Sequence, residues 1–401
     1  MSRECFLGFY KKCLFLLIYL LMKNNMNDAL FELLRMAVDD DCSPRFFKHR
    51  LDESEWQALR VFCHKQLLDA VVYRALCRLP KDLQPPSKLM YQWAIEAEIV
   101  KGHNKLLNSM AAKFTEDFAV RGCKTAVLKG AANARLYPDP FMRQAGDIDL
   151  WVEGGRDSVI ALVKEMGYKV TDKDASVHHL HIHDAGNDIT LEVHYQPAVG
   201  TINPIAKARV LRYLNTEIQN VERVPEGFCV PSMKFALVMQ LLHIMHHFFF
   251  GGIGFKQIVD YCILLKRSTE ADRRAVSALL SRFGVKSFCS ALMWIMSYVF
   301  GLESDRLLCK PDEKAGQKVL AEVYDGGHFG RYKNNGKPVY FKNGFDQWWH
   351  HRWRGIRQFR ANPSEVVWRE IRYCFAFIGT IPRRIKLRRL VLSDVKKKPN
   401  E

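Results

Sequence analysis

Between residues 27 and 118 the apolar positions recur at the spacing of one helix face. Leu30, Leu33, Leu34 and Ala37 make the first stripe; Leu59, Phe62, Cys63, Leu67, Ala70 and Val71 make the second; Trp93, Ala94, Ala97 and Val100 make the third. Pro85-Pro86 with Ser87 behind it stops one helix and restarts another, so three or four helices are predicted here. The period changes after Lys124. Thr125 to Leu128 reads as a short apolar strand, Lys129-Gly130 as a turn into a helix of small residues, and Asp147 to Val152 as a second strand. A helix carrying Val159, Ile160, Leu162, Val163 and Met166 follows the Glu153-Gly154-Gly155 turn and closes at Gly167. Tyr168 to Val170 is a candidate short strand. Val177 to His183 and Ile189 to Tyr195 then alternate, and the Gly-containing gap from Asp184 to Asp188 predicts a hairpin.

Beyond the hairpin the pattern is helical again. Pro231-Ser232 opens a helix that runs through Met239, Leu242 and Met245 to Phe250, where Gly251-Gly252 breaks it. Phe255 to Leu265, Ala271 to Phe283 and Val285 to Phe300 continue as helices apolar enough to bundle.

Composition adds limits rather than identity. The 401 residues are 48% hydrophobic and 26% charged, which is globular and leaves room for two or three cores. Lys11 and Lys12 precede an apolar run, Cys13 to Met22, far short of the roughly 20 residues that span a bilayer, and no small-x-small cleavage site follows. Residues 1–26 are therefore expected to be a peripheral extension or an over-long start, since Met22 and Met26 each precede a cleaner helix beginning. The eleven cysteines form no C-x-x-C pair, which argues against a disulfide framework or a thiolate zinc site and fits reduced thiols in a cytoplasmic protein. Of the net charge of +17, thirteen units come from residues 331–401, where eighteen Lys and Arg stand against five Asp and Glu.

The candidate chemistry lies on the strands. Side chains alternate across a strand, so Asp147, Asp149 and Trp151 share one face while Ile148, Leu150 and Val152 share the other. Acids are depleted in strands and rarely buried alone, so the pair calls for a cation. In the later run Thr190, Glu192 and His194 share a face, which adds a third acid. Three carboxylates on neighbouring strands suit oxygen ligation of hard divalent cations, as phosphoryl transfer requires.

The layout Lys129-Gly130, Asp147-Ile148-Asp149-Leu150 and Leu191-Glu192-Val193-His194 resembles the DNA polymerase beta-like nucleotidyltransferase superfamily. The fuller K-G, Y-P, R, D-I-D-L order is similar to the uncharacterised bacterial nucleotidyltransferase family NTP_transf_5. That likeness runs from about Val127 to Asp260, through the helix with His243, His246 and His247 into Gly254-Phe255-Lys256-Gln257, and more faintly to Gly327-His328-Phe329-Gly330. The resemblance implies an α+β fold in which a small mixed β-sheet nucleotidyltransferase core is flanked by N-terminal helices and a C-terminal helical domain. The expected segments are 1–26 as extension, 27–120 as helices, 121–230 as the catalytic core, 231–310 as a helical bundle and 311–401 as a basic aromatic tail.

The resemblance also implies roles. Asp147, Asp149 and Glu192 would be catalytic and hold two Mg²⁺ ions, with Mn²⁺ able to replace them. Gly130 would let the backbone approach the phosphates of a nucleoside triphosphate, with Lys129, Arg143 and His194 around the nucleotide. An unidentified hydroxyl compound would accept the nucleoside monophosphate. Ala131 stands where the superfamily prefers Gly or Ser, so a hydroxyl contact to phosphate is missing. The long gap from Gly130 to Asp147 makes Pro138-Asp139-Pro140 loop out.

Each residue has a plainer reading. Lys129 could be a solvated turn residue, Arg143 could pair with Asp139, Glu192 could act as a base on the acceptor, and Asp260 reads as a solvent-exposed acid. His179, His181 and His183 share one face with His178 beside them and His194 across the hairpin, which suits either a polar outer face or a transition-metal site. His243 and His247, four apart on a helix, point to the same side and could line the nucleotide cleft. Trp348-Trp349-His350-His351-Arg352-Trp353-Arg354 and Arg383-Arg384-Ile385-Lys386-Leu387-Arg388-Arg389-Leu390 suit nucleic acid, an anionic membrane surface at the inner face, or a solvated helix packed by its tryptophans. Two other functions fit the chain: a catalytically silent basic binding protein, and nucleotidyl transfer onto tRNA or protein.

Overall fold

The computed structural model describes residues 25–43, 50–171, 173–183, 189–326 and 344–386. The 1–24 extension, the hairpin turn 184–188, the Gly327 to Gly330 segment and the basic run past Lys386 lie outside the described residues.

Four helices precede the sheet, as the stripes predict: α1 (Asn25–Val38), α2 (Glu53–Gln66), α3 (Asp69–Leu76) and α4 (Ser87–Ala119). Asp52 opens α2 with a reciprocal cap: its carboxylate accepts from the Glu55 amide, and its own amide donates to the Glu55 carboxylate, both at 2.9 Å. Pro86 precedes α4, a 33-residue helix about 50 Å long at 1.5 Å per residue. That length lets one helix serve two cores. Leu89 and Trp93 near its start pack among the other helices, whereas Leu107, Met110, Ala111, Phe114 and Phe118 near its end pack under the sheet.

The sheet comprises β1 (Thr125–Val127), β2 (Ile148–Val152), β3 (His179–Ile182) and β4 (Leu191–His194) in the order β1-β2-β4-β3. β1 and β3 are antiparallel to their neighbours, while β2 and β4 run parallel, so the sheet is mixed. A one-turn helix, α5 (Ala131–Ala134), follows β1, and α6 (Arg156–Glu165) follows β2. Ile148, Leu150, Val152, Leu180, Ile182, Leu191 and Val193 bury one face of the sheet against α4 and against Val159 and Val163 of α6. The opposite face carries the polar residues.

Two expectations change here. Tyr168 to Val170 is not a strand. The outer side of β3 is already taken, by the Ala175–Leu180 bridge and the Ser176 amide donating to the His179 carbonyl, while Tyr168 and Val170 pack as side chains against the sheet's core. The Pro138-Asp139-Pro140 segment does not loop out either. Asn104 of α4 donates to the carbonyls of Phe141 and Arg143, both at 2.7 Å, and ties the end of the segment to α4, just before Arg143 enters the cleft.

The remaining elements are α7 (Pro204–Glu217), the small ladder β5 (Val221–Arg223) with β6 (Cys229–Pro231), then α8 (Met233–Phe250), α9 (Phe255–Arg267), α10 (Glu270–Leu279), α11 (Lys286–Phe300), α12 (Glu313–Gly326), α13 (Gly344–Gln358) and α14 (Pro363–Lys386). Ser232 caps α8 by accepting from the Phe235 amide at 3.2 Å. Among the described residues α8 is the one helix long and apolar enough to cross a membrane, yet Phe235, Leu237, Leu241, Ile244 and Met245 are spent on the core. That core joins α1–α3 to α8–α12 and takes in Ala126, Leu128 and Trp151 from the sheet's polar side. It thereby holds α8 and α9 over the acids. α13 reaches α8 through Gln358, which donates to the Phe248 carbonyl at 2.8 Å, and α14 reaches the entry to α7, where the Glu365 carboxylate accepts from the Ile202 amide at 2.8 Å.

Candidate active site

The parallel register of β2 and β4 sets Asp149 directly beside Glu192, and the antiparallel register of β3 sets His181 beside Glu192 and His179 beside His194. Residues in register on one sheet face lie within contact distance, so the pairing alone assembles the cluster. Asp149 Oδ1 takes the Lys129 ammonium at 2.9 Å and accepts from His194 Nε2 at 3.1 Å. His194 Nε2 also lies 3.5 Å from Glu192 Oε2, and His181 Nδ1 lies 3.4 Å from Glu192 Oε1. Lys129 is therefore a counter-charge to the acids and not a solvated turn residue.

Asp147 stands one residue before β2 at the rim. Gly130 adopts φ 62 and ψ −111, open only to glycine, and a Cβ there would lie 3.4 Å from the Asp147 carbonyl. The turn that presents Lys129 and the segment that presents Asp147 are thus pressed together.

Charge coupling shifts these groups. Burial works against ionised Asp149, but Lys129 and the His194 hydrogen bond outweigh it and hold the carboxyl below its usual range. Burial likewise opposes ionised Glu192, yet the His194 hydrogen bond and Lys129 bring it down to about 2. Burial disfavours charged Lys129 and His194, and the surrounding carboxylates raise both despite it.

Two lobes open from the acids. One, of about 330 Å³, is lined by His178, His179 and His194 from the sheet side and by His243, His246 and His247 from α8. The other, of about 460 Å³, is lined by Gly130, Arg143, Thr190, Gln240, Lys256 and Asp260. Lys129, Asp147, Asp149 and His243 belong to both. The α8 histidines thus do line the cleft, as their spacing suggests.

Asp260 overturns its solvent-exposed reading. It is 1% exposed, grips Arg143 through two hydrogen bonds of 2.7 and 2.8 Å, and accepts from the Tyr137 hydroxyl at 2.7 Å. Arg143 accordingly pairs with Asp260 rather than Asp139, while its Nη1 is buried without a hydrogen-bond partner in the second lobe. Lys256, part of the Gly254-Phe255-Lys256-Gln257 run, has no role assigned from the sequence. Burial, then the charge of Arg143, push its ammonium down to about 7. A signal was present: Lys256, Gln257 and Asp260 put three polar groups on a helix otherwise apolar from Phe255 to Leu265, with Lys256 and Asp260 on one face at i, i+4.

The donor set fits a hard cation in part. Asp149 Oδ2 is buried and accepts no hydrogen bond, and ligand atoms of Asp149, Glu192 and His194 lie within 4.8 Å of one another. A buried carboxylate oxygen left bare is costly unless something positive meets it. Asp147 lines both lobes but is not in that close group.

The profile of a family described as uncharacterised nucleotidyltransferase matches residues 52–301. The chain belongs to that family. The match reaches from the start of α2 to the end of α11, so it takes in the sheet, both lobes and the helices over them. No curated protein and no solved structure matches the chain.

In the tail, the Arg352 guanidinium lies over the Trp348 ring, 5.8 Å from its centroid. Trp348, Trp349 and Trp353 of α13 are 44%, 54% and 43% exposed, beside exposed Ile356, Phe359, Phe375 and Ile378.

Proposed function

We propose that the protein is a divalent-cation-dependent nucleotidyltransferase that moves a nucleoside monophosphate from a nucleoside triphosphate to a hydroxyl acceptor. The observation that carries this is the bare Asp149 Oδ2 beside Glu192, flanked by the Gly130 turn, within a chain of nucleotidyltransferase family. Asp149 and Glu192, with Asp147 at the rim, are the residues that would hold Mg²⁺ or Mn²⁺. Such ions, when bound, neutralise phosphate oxygens and acidify a coordinated hydroxyl.

The chain's own residues divide the remaining work. His194 fixes the two carboxylates relative to each other through one nitrogen. Lys129 offsets their charge until cations and a triphosphate share it. The lobe with Lys256, the free Nη1 of Arg143 and the Gly130 backbone suits the triphosphate: it offers cationic donors in a water-poor wall, where charge-assisted bonds to phosphate are strong. The helix after Gly130 is only four residues long, so side chains rather than a helix dipole carry that neutralisation. The histidine lobe is left for the acceptor.

Incubating the protein with α-labelled nucleoside triphosphates, Mg²⁺ and a fractionated cell extract tests the reading. One fraction should gain label with release of pyrophosphate, and both chelation and Asp149→Asn should stop it. Label transfer unaffected by Asp149→Asn would overturn it.

A further inference from the structure

The sheet's polar face carries more imidazole than the carboxylates use. His178 and His179 stand at the start of β3, and His194 is the register partner of His179. His179 Nδ1 lies 2.7 Å from His178 Nε2, and His179 Nε2 lies 2.7 Å from His181 Nε2. A neutral imidazole has one donor and one acceptor nitrogen, so hydrogen bonding alone can account for that ladder.

His194 breaks the pattern. Asp149 and Glu192 accept at its Nε2 and so fix the proton there, while its Nδ1 is buried, has no hydrogen-bond partner, and belongs to a side chain 7% exposed. One ring nitrogen from each of His178, His179 and His194 lies within 4.8 Å of the others. Three nitrogens on a tetrahedral ion at about 2.0 Å would stand about 3.3 Å apart, a spacing that small ring rotations reach.

We propose that His178, His179 and His194 form a three-nitrogen site for a divalent ion of the zinc class, with its fourth position open to the lobe beneath α8. Two features support the assignment. The donors are nitrogens, which select such ions over Mg²⁺. The far side of two rings is supported in the way metal-bound histidines are, with carboxylates at His194 Nε2 and the Ser176 hydroxyl 3.3 Å from His178 Nδ1. The alternative group, His179 with His181 and Glu192, borrows an acid from the oxygen site and includes His181, which does not line the lobe. Three protein ligands with an open fourth position is the arrangement that leaves room for water or a ligand hydroxyl. The site does not depend on nucleotidyl transfer.

The test uses the metal-stripped full chain without nucleotide, titrated with Zn²⁺ by calorimetry and with Co²⁺ by visible absorption. One equivalent should bind, and Co²⁺ should give the intense bands of a four-coordinate complex. His178→Gln and His179→Gln should each weaken Zn²⁺ binding by more than about 100-fold, beyond the ~10–100-fold loss expected of a supporting residue. His181→Gln should leave it within about threefold. Thermal melts guard against misfolding: Zn²⁺ should raise the wild-type transition and not that of His179→Gln. The assignment is overturned if the wild type binds no stoichiometric ion, or if His181→Gln abolishes binding that His178→Gln retains.

Discussion

Two buried aspartates line the same lobe and are treated oppositely. Asp260 has both oxygens engaged: Arg143 spans the two and the Tyr137 hydroxyl adds a third bond. Asp149 is equally buried, but only its Oδ1 is engaged, by Lys129 and His194, and Oδ2 meets no donor. A buried carboxylate with both oxygens engaged by a buried cation is a fastener, since its charge is already met. A carboxylate with one oxygen bare in a cleft stores an unmet demand for positive charge. Burial therefore does not separate structural from functional acids here, whereas the count of satisfied oxygens does.

Substitutions can break that comparison. The largest effect belongs to Asp149→Asn, which should lower the rate of nucleotidyl transfer by about 10³-fold or more, several kcal/mol of lost charge stabilisation. Its cost in stability should be smaller than that of Asp260→Asn, because Lys129 keeps Asp147 and Glu192 as counter-charges. Asp260→Asn should cost about 3–5 kcal/mol in denaturant unfolding, the loss expected when one partner of a buried pair is removed. Were the two stability losses reversed, the distinction between fastener and ligand site would fail.

Gly130→Ala comes next. At φ 62 and ψ −111 a side chain is strained, by about 1–3 kcal/mol, and the added Cβ presses on the Asp147 carbonyl. Urea unfolding reads the strain, and a matching loss of turnover shows that the turn and Asp147 move together.

The smallest effect is a pH slope. Lys256 is lowered by burial, then by Arg143, from 10.5 to about 7. Between those values the unfolded chain keeps a proton that the folded chain has released, so this residue makes stability rise with pH across that window. The contribution is at most about 1.4 kcal/mol per pH unit, and less for the water the side chain retains. Comparing wild type with Lys256→Met from pH 7 to 9 isolates it: the variant should be relatively more stable at pH 7, with the gap closing as pH rises.

How much of this was legible in the chain follows the range of each interaction. β2 and the face shared by Asp149 and Trp151 could be read because alternation is local, and so could the third acid in Leu191 to His194. The parallel pairing that sets Asp149 against Glu192 could not, since strand order is decided by how the sheet closes on α4. Asp260 was misread for the same reason. Its partner Arg143 lies 117 residues away, and a single acid in a helix looks solvated until the helix is known to be covered. Tyr168 to Val170 has strand-like residues and no vacant ladder to join. Ser232 and Gly251 marked the ends of α8 correctly because caps and breaks act within a turn.

The central claim is that Asp149 with Glu192 gathers divalent cations for a nucleotide. Calorimetry of a non-hydrolysable nucleoside triphosphate with and without Mg²⁺, on wild type and Asp149→Asn, tests it most directly. The account predicts saturable binding by the wild type only with Mg²⁺ present, and its loss in a variant whose melt still shows a folded chain. Equal binding without the metal, or binding retained by Asp149→Asn, would contradict it.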